Sequence, residues 1–171
     1  MNTNMQKLMK ISLFFRALVL IGSASMLFFL VYEYVVNDEL RRAASTYFYE
    51  LWDYPDANKG ILLGLQLPRL VTLFVGFYWL QRLLGHFQLG QFFGNEAMRC
   101  YLWLIWLKVL DIVLKIIQEL ATAIYHNQFF EHTRISVDLD ISNITTILLM
   151  LLIVYLLKAA REIEAENKEF I

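Results

Sequence analysis

Cysteine is nearly absent: the 171-residue chain has one, Cys100, and so forms no internal disulfide. Histidine is scarce too, and His86, His126 and His132 fall at no spacing that suits zinc or paired haem ligation. Charge is low, at 18% of residues, where a soluble domain carries about 25%. The 15 basic and 16 acidic groups nearly cancel, which leaves no net field to attract nucleic acid or an anionic surface. A Gly-rich phosphate loop, a nucleophile elbow and a His-Glu-x-x-His helix are all missing. The expectation is a protein that is not an enzyme, carries no metal or cofactor and binds no nucleic acid.

What the chain has instead is apolar sequence. Hydrophobic residues make up 58% of it, and the mean hydropathy is +0.50. Four runs, at residues 11–36, 61–84, 97–125 and 141–160, reach the roughly 20 residues that a helix needs to cross about 30 Å of hydrocarbon. The first run follows Lys7 and Lys10 and contains Gly22-Ser23-Ala24-Ser25, as a cleaved signal would. It continues to Val36, however, longer than a signal core usually is, and is read as a retained span. The fold expected is all-α: a single membrane domain over residues 1–171, built as a four-helix bundle in contact with the lipid bilayer.

Between the first two runs, residues 38–52 place Leu40, Ala43, Ala44, Tyr47, Phe48, Leu51 and Trp52 at helical spacing. Glu39, Arg41, Arg42 and Glu50 lie on the other side, so an extra amphipathic helix is expected here, with its apolar face in the headgroup zone rather than folded over the bundle. Asp53, Pro55, Asp56 and Gly60 supply the turn that follows. Orientation comes from lysine and arginine. The amino terminus, the second loop and the tail hold eight, against four on the other side. The positive-inside rule then puts both termini and the short second loop in the cytoplasm.

The third run carries the strongest local signal. Lys108, Asp111, Lys115 and Glu119 are spaced at i, i+3, i+7 and i+11 and share one helical face, with Gln118 and Thr122 close by and Trp103 and Trp106 turned away. A lone ionised side chain at mid-bilayer costs roughly 2.5 to 3.5 kcal/mol on insertion scales, so the stripe faces inward. Asp111 precedes Lys115 by four residues, the favourable order for an intrahelical pair. Arg69 enters the second run at a depth that suits Glu119, and Arg16 in the first run at one that suits Asp111. Two readings stand for this cluster of Arg69, Lys108, Asp111, Lys115 and Glu119. In the first it is structural glue that fixes how helices face one another; in the second it lines a polar cavity for an ion, a proton path or a small ligand. Glue is preferred, because four short spans leave little room for an enclosed path.

Weaker signals are Gly22 with Ser25 and Gly60 with Gly64, small patches that suit close helix approach or a homo-oligomer. Asn95 is placed to cap the third span, and Glu162, Glu164, Glu166 and Glu169 make an acidic cytoplasmic tail over residues 161–171. Two segments carry a resemblance: Gly90-Gln91-Phe92-Phe93-Gly94-Asn95-Glu96-Ala97-Met98-Arg99, and Ala160-Arg161-Glu162-Ile163-Glu164-Ala165-Glu166-Asn167-Lys168-Glu169-Phe170-Ile171. With the span pattern they resemble a small bacterial inner-membrane family, a domain of unknown function with four predicted spans. Its members are often encoded beside a Cro-like helix-turn-helix regulator. The resemblance implies a membrane protein whose partner is a cytoplasmic regulator; the charged stripe is not part of the family pattern. The chain is expected to act as a sensor, regulatory or accessory subunit through a membrane or cytoplasmic partner. The alternative is a subunit of an oligomeric transporter or channel.

Overall fold

The computed structural model describes residues 3–37, 46–92, 94–130 and 141–169. Five helices account for nearly all of them: α1 (Thr3–Asn37), α2 (Thr46–Trp52), α3 (Lys59–Gln88), α4 (Asn95–His126) and α5 (Ile141–Glu169). No strand occurs among the described residues. The fold is all-α, as the periodicity of the chain requires.

Three segments are long and apolar enough to cross a membrane: Gln6–Val36, Lys59–Gln88 and Ser142–Ala160. The helix α4 has the length, at 32 residues, or about 48 Å at 1.5 Å per residue. It misses the same standard because Lys108, Asp111 and Lys115 interrupt its apolar centre. Of the four spans expected, three therefore stand on length and apolarity alone.

The helix ends follow from local chemistry. Asn58 caps α3: its Oδ1 accepts the Gly60 N–H at 2.9 Å, and its carbonyl accepts the Ile61 N–H at 3.0 Å. At the other end Gly90 takes a φ of 74°. The Gln91 N–H returns to the His86 carbonyl at 3.0 Å and the Gly90 N–H to that of Phe87 at 3.1 Å. That pair of bonds closes a helix only when the residue between can enter the left-handed region, which glycine does without steric cost. At the start of α4 the first helical bond runs from the Met98 N–H to the Gly94 carbonyl at 3.0 Å. The cap position thus falls at Gly94, one residue before the expected Asn95. Pro68 sits inside α3, where it withholds one backbone donor; the Thr72 hydroxyl donates to the Pro68 carbonyl at 2.9 Å.

The chain divides into two compact units, each defined here through its described residues. The first comprises Met1–Gly22, Val75–Val109 and Asp140–Ile171, and the second Ser23–Phe74 and Leu110–Leu139. In the first, Leu83 of α3 packs on Ala97 and Cys100 of α4, with Trp79, Phe87, Tyr101 and Leu104 around them. The Trp79 and Trp103 rings stack, centroids 5.3 Å apart. Small residues at Ala97 and Cys100 let the two helices approach, and this is the role that the buried Cys100 fills.

In the second unit a core forms from Phe48, Leu51 and Trp52 of α2 with Ala57 and Leu62, packed on by Tyr125, Phe129 and Phe130. This overturns the headgroup placement expected for the apolar face of the amphipathic helix. That face is covered by protein, because the aromatic end of α4 offers it a closed surface of rings. Residues 38–45, the start of the expected amphipathic helix, lie outside the described residues. The small patches behave differently too. A Cβ added at Gly22 or Gly64 would meet nothing within 4 Å, so neither glycine serves a close helix approach among the described residues.

Candidate functional site

The polar residues of the apolar helices are not scattered. On α3, Gln66, Arg69 and Thr72 recur every three residues, and Gln66 and Thr72 are buried. On α4, Gln118 and Thr122 are buried as well. In the second unit these two polar faces meet. The Arg69 Nε donates to Asp111 Oδ1 at 3.2 Å, and its Nη1 donates to Gln118 Oε1 at 3.3 Å. One guanidinium therefore ties to α3 two points of α4 that lie about two turns apart, using the fork of donors that lysine lacks.

Further along α4, Lys115 Nζ lies 3.6 Å from Glu119 Oε1. This lysine-to-glutamate order is the less favourable one for an i,i+4 pair. The second carboxylate oxygen, Glu119 Oε2, is buried with no hydrogen-bond partner among the described residues. Lys108 belongs to the first unit and is half-buried on α4. Of the five residues marked by the sequence, four thus gather in the second unit as two linked pairs. Arg69 meets Asp111 and Gln118, the latter one residue before Glu119. Arg16 bonds within the first unit: Nε to Gln81 Oε1 at 3.2 Å and Nη1 to Gln88 Oε1 at 2.8 Å.

Sequence reasoning missed a second polar contact. His126, at the end of α4, is buried, and its Nε2 lies 2.7 Å from Glu50 Oε2 of α2. The Phe130 ring stacks on the imidazole at 4.3 Å and the Tyr47 ring approaches at 4.8 Å. The Tyr125 hydroxyl accepts the Asn58 N–H at 2.9 Å. A carboxylate 76 positions away in sequence gives no local cue. The one available signal was the crowding of Tyr125, Phe129 and Phe130 around a histidine. Among the described residues no group of His, Cys, Asp or Glu side chains is arranged to hold a metal ion.

Chemically, the α3–α4 contact is a part-buried set of complementary charges and amides on otherwise apolar helices. Such an arrangement holds helices in register, and each member is costly to remove because its partner stays behind. Comparison with family models, with curated proteins and with solved structures finds no match to this chain.

Proposed function

We propose that the chain crosses a bilayer four times with both termini in the cytoplasm, and that it works as a sensor, regulatory or accessory membrane subunit through protein partners. The observation that supports this best is the Arg69–Asp111 bridge with its Gln118 arm. A lone charge at mid-bilayer costs roughly 2.5 to 3.5 kcal/mol on insertion scales. Pairing across helices offsets much of that penalty, so α4 can be the fourth span despite its charge. The same pairing engages Arg69 and Asp111, two of the side chains that a conducting path would need to turn toward water. The stripe then acts as glue, and activity has to reside in surfaces that meet other proteins. On the resemblance of residues 90–99 and 160–171 to a four-span bacterial family, the membrane we propose is the inner one, and the partner we propose is a cytoplasmic regulator.

One observation favours the second reading, a subunit of an oligomeric transporter or channel. Glu119 Oε2 is an acceptor without a donor among the described residues, and a cation or proton path between copies would supply one. Cross-linking in membranes followed by native mass spectrometry separates the two. A heteromeric complex is the outcome expected. A closed ring of identical chains, lost on Glu119→Gln, would transfer support to conduction.

A further inference from the structure

In the first unit, α1 and the last turns of α3 enclose an open cavity of about 420 Å³. Its lining includes Arg16, Gln81, Arg82, Gly85, His86 and Gln88, and no aspartate or glutamate is among the described lining residues. Arg16 is held by neutral groups: the Gln81 and Gln88 side-chain carbonyls accept from its guanidinium, and Gln81 Nε2 donates back to the Arg16 carbonyl at 2.8 Å. These bonds fix the cation in place without neutralising it. The second arginine is shared with an acid outside the lining: Arg82 Nη2 donates to Glu96 Oε2 at 3.4 Å, a salt bridge. The Arg82 guanidinium also lies 5.4 Å from the Trp79 ring centroid. His86 Nδ1 is engaged by Gln91 Oε1 at 3.2 Å, which fixes the plane of the imidazole. Gly85 keeps the cavity open: a Cβ there would stand 3.8 Å from Arg16 Nη1, and any longer side chain would grow into the space.

Two guanidinium groups, one of them held only by neutral amides, with an imidazole beside them and no acid among the described lining residues, suit an anion, and arginine forks match the oxygens of a phosphate. We propose that this cavity binds a phosphate group presented by an anionic lipid headgroup. The cavity lining reaches Leu89, next to the Gly90 turn and at the end of the apolar segment Lys59–Gln88, which as a span would meet headgroups there. Basic pockets between membrane helices at that level are suited to anionic lipids. The inference rests on α1 and α3 being membrane spans; the orientation proposed above decides only that the leaflet is the cytoplasmic one.

The full chain in nanodiscs of phosphatidylcholine, with and without phosphatidylglycerol, tests this by native mass spectrometry of retained lipid. Wild type should keep phosphatidylglycerol at least ten-fold over phosphatidylcholine. Arg16→Gln should lose that preference. Gly85→Leu should lose it also, with no charge changed, which covers the case in which Arg16→Gln unfolds the α1–α3 contact. Lys10→Gln, a charge loss on the same helix outside the lining, should leave it intact. Titration of inorganic phosphate in detergent forms the second arm, and weak binding that Gly85→Leu does not alter is the expected result. Strong binding abolished by Gly85→Leu would overturn the lipid source in favour of a free phosphate. Equal losses in Lys10→Gln and Arg16→Gln, or no preference in wild type, would overturn the site. A chain that does not enter nanodiscs would defeat the membrane reading instead, while the detergent arm would still decide whether the cavity takes phosphate.

Discussion

Helices α2 and α5 put the same kind of side chain to opposite use. In α2, three of seven residues, Phe48, Leu51 and Trp52, are buried by protein. In the apolar window of α5 none is, and Leu148, Leu152 and Tyr155 stand more than half exposed. Both segments are rich in apolar residues, so apolarity alone does not say what will cover them. The aromatic face of α2 packs on the rings of α4, because leaving it open to water forfeits the hydrophobic gain. For α5 the hydrocarbon of a bilayer is as good a surround as a protein core, and its apolar face can stay unpartnered within the chain. The helix α4 lies between these cases, with Trp106 exposed on one face and Gln118 and Thr122 buried on the other.

The sharpest way to break this contrast is to truncate the core that α2 completes. Phe48→Ala should cost about 3–5 kcal/mol, the usual penalty for emptying a buried phenylalanine site, measured as unfolding free energy in mixed micelles. Next comes the polar contact. Arg69→Met and Asp111→Asn should each cost about 3 kcal/mol by leaving a charge or amide unmatched, visible as reduced membrane level. The double variant should recover most of the loss, since both partners are then gone; equal losses in all three would show that the two side chains do not act as a pair. The substitution His126→Ala removes a hydrogen bond to a carboxylate and should cost about 1.5–3 kcal/mol in the same unfolding assay. At the small end, Leu152→Ala should shift stability by less than about 0.5 kcal/mol, as outward positions do. A large effect there would mean that α5 is covered by a partner which survives purification.

The sequence announced the helices well and their partners poorly, for a physical reason. Length and period are local properties. Residues 61–84 were marked as a run and α3 is Lys59–Gln88; residues 97–125 were marked and α4 is Asn95–His126. The Gly90 turn carries a local cue of its own, because few residues other than glycine enter that backbone region cheaply. Which turn of one helix faces which turn of another depends on rotation and offset, and neither is written in a single segment. Arg69 was seen as a charge needing a partner, yet its pairing with Asp111 and Gln118 was missed. The polar spacing of Gln66, Arg69 and Thr72 along α3 was the overlooked cue to which face turns inward. The His126–Glu50 contact joins residues too distant in sequence for any periodicity to reveal.

The account stands or falls on whether α4 crosses the bilayer with its charges paired inside. Reporter fusions that are active only outside the cytoplasm, placed after Gln91 and after Glu131, test this directly. Inactivity at Gln91 together with activity at Glu131 is the result predicted. The same result at both positions would mean that α4 does not cross, and that the Arg69–Asp111 contact forms somewhere other than the membrane interior.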